Sequence, residues 1–131
     1  MYRAREKQMS IYDYLPPYHG ELCNANRWVQ LAAAIDWDGF EKAYSELFAP
    51  GGKVALPARV ALGCRIIQLH YAASDREVVA LVQESPYLQY FLGFENFTDE
   101  VPFSSRTVAR FRARIPDKAV RPAVRLLRSF Q

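Results

Sequence analysis

Ser74–Gly93 reads SDREVVALVQESPYLQYFLG, and this stretch decides the fold. Ser74 followed three residues later by Glu77 forms a capping box: the serine hydroxyl serves an orphan N–H of a first helical turn while the glutamate reaches back to the serine's own N–H. Val78, Val79, Leu81 and Val82 follow directly, so a helix starts here on a specific signal. Pro86 fits the first turn of a second, short helix, where its missing N–H is one of the orphans anyway, and Gly93 stops it. Tyr87, Leu88, Tyr90, Phe91, Leu92 and Phe94 load this region with rings and apolar side chains. Such rings can stack on bases, but stripes at this spacing are far more often core.

Upstream, Pro57 opens a helix that runs to about Ala72 and carries Val60, Ala61, Cys64, Ile67, Leu69 and Tyr71. Apolar over most of its circumference, it is the expected central helix. Pro50, Gly51 and Gly52 mark Ala49–Leu56 as the clearest linker. Before it, Trp28, Leu31, Ala32 and Ile35 recur at helical steps behind Asn24 or Asn26 as a cap. A second helix then begins near Asp36, with Trp37, Phe40, Tyr44, Leu47 and Phe48 on one face. These two short helices form a hairpin at best. Pro16, Pro17 and Gly20 among Tyr12, Tyr14 and Tyr18 make the start an extended aromatic arm. No convincing strand appears. The expected fold is all-α: an arm over 1–25, a helical domain over 26–115 with an elaborated helix-turn-helix-like C-terminal half, and a basic C-terminal helix over 116–131.

Charge is strongly segregated along the chain. Ser104–Gln131 carries eight basic side chains and one acid, a balance of +7, whereas the preceding 103 residues carry nine basic and thirteen acidic groups, a balance of −4. A cationic helical segment beside a neutral-to-acidic body is the electrostatic footprint of a nucleic-acid contact. Arg supplies thirteen of the seventeen basic residues. A GC-rich genome would favour Arg over Lys, but it would not cluster them.

Within SSRTVARFRARI (104–115), Val108, Phe111 and Ile115 fall within about 60° of one another on a helical wheel, which defines a buried stripe. Ser104 or Ser105 caps this helix and Pro116 ends it. The outward face centres on Arg106 and Arg110, one turn apart, with Arg114 at its edge and Arg112 nearer the buried side. Guanidinium groups so placed can grip successive phosphates or present a fork to guanine. Ser105 and Thr107 add short donors near the helix N-terminus, where phosphates are favoured. The candidate DNA-binding residues are therefore Ser105, Arg106, Thr107, Arg110, Arg112, Arg114 and Lys118. A solvated basic face that merely aids solubility is the plainer alternative, and Arg121, Arg125 and Arg128 fit a face packed on an acidic partner equally well.

Other chemistry finds little support. No apolar run approaches the roughly 18 residues of a membrane helix, and MYRAREKQMS leads into no signal-length apolar stretch. The expectation is a cytoplasmic protein without membrane or small-molecule partners. Cys23, Cys64, His19 and His70 are scattered singles with no CxxC pair, so Cys64 reads as a small buried hydrophobe. Asp36, Asp38 and Glu41, the densest carboxylate cluster, are accounted for by a helix N-terminus.

The order QMSIYDYLPPYHGEL (8–22), NRWVQLAAAIDW (26–37), FEKAYSELF (40–48), the run from Leu56 to Phe94, and PFSSRTVARFRARI (102–115) resembles the N-terminal domain of InsH-like bacterial insertion-sequence transposases. Almost the whole chain is covered, and Ser74–Gly93 is the most specific part. Two places depart from the family pattern. Lys53 is followed only by Val54, Ala55 and Leu56, and Ser104 and Ser105 stand where an acidic residue or His is frequent. The resemblance implies an all-helical domain that binds double-stranded DNA at the terminal inverted repeats. In intact members a DDE catalytic domain follows, whose three carboxylates hold two divalent metals. The only acid after Glu100 is Asp117, so no catalytic residue, cofactor or metal is expected in this chain, which would be a truncated copy without strand transfer. A homodimer stays open. The competing expectations are a helical interaction module, suggested by the Tyr12–Tyr18 arm, and an inactive remnant.

Overall fold

The computed structural model describes residues 22–45 and 57–130, which form seven helices and, among the described residues, no strand. They are α1 (Arg27–Ala34), α2 (Trp37–Ser45), α3 (Ala58–Tyr71), α4 (Asp75–Glu84), α5 (Pro86–Phe91), α6 (Ser105–Arg114) and α7 (Asp117–Ser129). The all-α expectation holds. Most of the aromatic arm, the Ala49–Leu56 linker, and Leu47 and Phe48 lie outside the described residues.

Local signals place most helix ends. Ser74 Oγ accepts from the Glu77 N–H while Glu77 Oε1 accepts from the Ser74 N–H, closing the capping box of α4. Asn26 Oδ1 caps α1 through the Trp28 N–H, and Asp36 Oδ1 accepts from the Gly39 N–H at the start of α2. Pro86 occupies the first turn of α5 behind Ser85, whose hydroxyl accepts from the Leu88 N–H. At the other end of α5, Gly93 adopts φ +93° and donates to Tyr90 O, while the Phe94 N–H returns to Gln89 O. These paired bonds satisfy the last carbonyls of a helix that must turn through a left-handed residue. Arg59 of α3 completes the cap, donating to Phe91 O at 2.9 Å and to Tyr90 O at 3.1 Å.

The core forms around α3, which packs against α2, α4, α6 and α7. Ala61, Cys64, Ile66 and Ile67 are wholly buried, and the burial pushes the Cys64 thiol far above its ordinary range. Gly63 allows close approach to α5, because a methyl group there would overlap the Leu92 side chain. The aromatic segment is core: Leu88, Phe91, Leu92 and Phe94 are buried, and Phe91 meets Trp28 and Trp37 edge-on at centroid distances of 4.9 and 5.4 Å. Edge-on ring pairs of this kind add about 0.5–1.5 kcal/mol each beyond the area they bury. They also explain why the first two helices do not simply form a hairpin. Trp28 draws α1 onto α5, and α1 also contacts α7, while α2 lies on α3.

Among the described residues the three buried polar side chains, Arg65, Gln68 and Gln89, are all hydrogen-bonded. Gln89 donates from Nε2 to Val82 O and Thr98 O, and its Oε1 accepts from the Thr98 N–H, which ties the loop at 95–102 to the ends of α4 and α5. Arg65, 3% exposed on α3, donates from Nε to Ile115 O at 2.8 Å and from Nη1 to Gln68 Oε1 at 2.7 Å, and its Nη2 is paired with Asp117. Ile115 ends α6 and Asp117 opens α7, so one buried guanidinium holds their junction against the central helix.

Candidate nucleic-acid interface

Ser104, the N-cap of α6, accepts from the Thr107 N–H, and its own N–H donates to Thr107 Oγ1. Thr107 is thus bound into the cap that starts the helix. Val108, Phe111 and Ile115 are buried, as their spacing requires, which turns the opposite face outward. Arg106 and Arg110 are exposed there and have no hydrogen-bond or ion-pair partner among the described residues. Arg114 and Lys118 are also exposed, and Ser105 is half-buried.

The start of α4 lies across α6, and an open groove of about 570 Å³ separates them, lined by Ser74, Asp75, Arg76, Ser105, Arg106 and Ala109. Both helices therefore present first-turn residues to one space, where the unpaired N–H groups of helix starts favour anions. Arg76 is exposed. The sequence pattern drew attention to its neighbours Ser74 and Glu77 as a cap and passed over Arg76; its only signal was its place in the first turn of a strongly capped helix.

Arg112 is engaged within the chain. Its Nε donates to Asp75 Oδ1 at 3.0 Å and its Nη2 to Asp75 Oδ2 at 2.8 Å, a two-pronged pairing that crosses from the last turn of α6 to the first turn of α4. The Arg112 hydrogen bonds hold the Asp75 carboxyl below its usual range against the opposing effect of burial, with a further contribution from Gln68. Gln68 Nε2 donates to Asp75 Oδ1 at 2.8 Å, and Gln68 in turn accepts from Arg65. A continuous polar chain therefore runs from Asp117 through Arg65, Gln68 and Asp75 to Arg112, locking α3, α4, α6 and the start of α7 together. Among the described residues Asp75 is the one carboxylate lining the groove, and Arg112 already balances it. Arg76 and Arg106 in the groove, with Arg110 one turn further along α6, remain uncompensated. The arrangement suits binding of a polyanion.

The structure thus gathers Ser105, Arg106 and Arg110 at the groove and along the outward face of α6. It assigns Thr107 to the cap and Arg112 to the junction with α4, and places Lys118 on the following helix. Among the described residues, no helix is long and apolar enough to cross a membrane.

Comparison with known proteins adds three findings. A family model described as "Transposase domain (DUF772)" matches residues 11–114. A Rhizobium meliloti protein described as "Uncharacterized protein ORF8 in nfe locus" is 37% identical over 87 residues, which cover 66% of this chain and 42% of that protein's length. No solved structure matches.

Proposed function

The chain belongs to the DUF772 transposase-domain family, and on that premise we propose that it binds double-stranded DNA, recognising the terminal inverted repeats of an insertion sequence through α6. The observation that carries this is the division of α6 into two faces. Val108, Phe111 and Ile115 are buried against the body, while Arg106 and Arg110 stand outward with no partner among the described residues.

In this proposal α6 enters the major groove as the second helix of an elaborated helix-turn-helix, with α4 packed across it as the supporting helix and α5 with its loop replacing the short turn. Arg106 and Arg110 contact base edges or the flanking phosphates. Ser105 and Arg76 take a phosphate at the groove between the two helix starts, where side-chain charge and helix dipoles act in the same direction. Arg112 serves as a positioning residue, because its guanidinium is committed to Asp75.

The test is a binding titration on the terminal inverted repeat of the element that encodes the chain, with a duplex of random sequence as competitor. A bidentate base contact is worth about 1–3 kcal/mol of discrimination, so Arg106→Ala/Arg110→Ala should lower the preference for the repeat by roughly tenfold or more. Undiminished preference in that variant removes α6 from the reading surface.

A further inference from the structure

The outer face of α7 carries a second set of cations that the groove does not use. Val120, Ala123, Val124 and Leu127 are buried against the body, whereas Lys118, Arg121 and Arg125 are exposed and have no ion-pair or hydrogen-bond partner among the described residues. On a helical wheel these three centre about 140° from the buried stripe, and they span about 10 Å of helix rise. Other charged groups of α7 are engaged: Asp117 with Arg65, and Arg128 with the ring and carbonyl of His70.

We propose that this row is a second nucleic-acid contact, one that grips the phosphate backbone without reading sequence. The proposal rests on the DNA-binding reading given above but concerns a different surface. Like charges three and four residues apart repel along a helix, and a cation in the first turn opposes the helix dipole. Asp117, the acid of that first turn, is already paired with Arg65, and none of the three cations has an ion-pair partner among the described residues, so an external polyanion is the natural counterpart. The span of the row matches about three phosphates of one strand, whose charges recur every 3.4 Å or so of duplex rise. An acidic protein fits less well, because protein interfaces centre on buried aromatic or apolar anchors. The exposed large hydrophobic side chain of α7 is Leu126, which sits about 110° around the helix from the row's centre. The family match ends at residue 114, so this contact would extend the matched domain's surface with an affinity element of its own.

The experiment measures the affinity of the full chain for a random-sequence duplex across a salt series. Each phosphate neutralised contributes about 0.9 to the slope of log affinity against log salt. Lys118→Ala/Arg121→Ala/Arg125→Ala should therefore flatten the slope by about 2–3 while leaving the preference for the inverted repeat unchanged. If the triple variant fails to fold by circular dichroism, Arg121→Gln/Arg125→Gln reads the same quantity and should flatten the slope by about 2. An unchanged slope overturns the proposal, as does a loss of preference for the repeat, which would make α7 a base reader. Arg106→Ala/Arg110→Ala, run in parallel, separates the two surfaces. If that pair keeps full preference while the α7 variant flattens the slope, the α6 reading falls and this one stands. The reverse pattern overturns α7 alone, and a parent chain that binds no duplex at low salt overturns both.

Discussion

Replacing Arg65 with Met removes the charge at the centre of the polar chain while roughly preserving side-chain bulk, so the change isolates hydrogen bonding from cavity formation. Three contacts disappear: those to Ile115 O, Gln68 Oε1 and Asp117. Ile115 is buried and Gln68 is 6% exposed, and an orphaned buried acceptor costs about 1–3 kcal/mol. Asp117 differs, with its side chain 53% exposed; water can take over there, and a half-exposed ion pair is worth only about 0–1 kcal/mol. The expected loss is about 3–5 kcal/mol for Arg65→Met, a large share of the roughly 5–15 kcal/mol that stabilises a typical domain. Asp117→Asn keeps an acceptor on the exposed side and should cost about 1 kcal/mol. Urea unfolding followed by helical circular dichroism measures both. The double variant should fall within about 0.5 kcal/mol of Arg65→Met alone, because the contact is already gone. If Asp117→Asn proves as damaging as Arg65→Met, the pairing of charges stabilises the junction, and the burial reasoning is wrong.

Three further outcomes follow from other positions. Ala72 closes α3 in the left-handed region at φ 52°; Ala72→Gly relieves that strain at some entropic expense and should raise stability by about 0.5–1 kcal/mol in a thermal melt. Gln89→Met removes three hydrogen bonds, a buried one to Val82 and two part-buried ones with Thr98, and should cost about 2–4 kcal/mol, with the Thr98 amide losing hydrogen-exchange protection. The pKa of His70 is held below its ordinary 6.5 first by burial and then by Arg27 and Arg128. The unfolded chain therefore takes up the proton more readily, and the stability His70 contributes is present above pH 6.5 and lost as pH falls below it. His70→Asn, which keeps an acceptor for Arg128, should flatten that acid-side loss in urea midpoints compared across pH.

The helix starts were legible because their signals are local. Ser74 with Glu77, Asn26 with Trp28, and Pro86 after Ser85 all act within three residues, and each helix begins where those residues place it. The outward position of Arg106 and Arg110 was legible for the same reason, since helical phase alone sets it. What the pattern could not supply was the partner of each charge. Arg65 reaches Ile115 and Asp117 across 50 and 52 positions, and Arg112 reaches Asp75 across 37. Helical phase set Arg112 nearer the buried side than Arg110, but nothing in its immediate neighbours names Asp75 of α4 as its partner. The packing of α1 was hidden likewise, because Trp28 finds Phe91 through the folded core and not along the chain.

Sorting the cations by partner gives the C-terminal charge a clearer meaning than its count. Arg65, Arg112 and Arg128 are spent on the body: they staple the α6–α7 junction, brace α6 against α4, and tie α7 to His70. Arg76, Arg106, Arg110, Lys118, Arg121 and Arg125 remain exposed. The inward set fixes the orientation of the two helices that display most of the outward set, so the two are mechanically coupled. Weakening the Arg65 junction should therefore disturb the proposed DNA contacts, in which Arg65 takes no part, and the disturbance has a distinguishing form. Loss of orientation reduces preference for one sequence over another, because base contacts demand geometry, while the salt slope, which counts neutralised phosphates, changes less. Under conditions where Arg65→Met is still folded, its preference for the inverted repeat should fall more than its slope does. A steeply flattened slope with preference intact would instead place the coupling in charge and not in orientation.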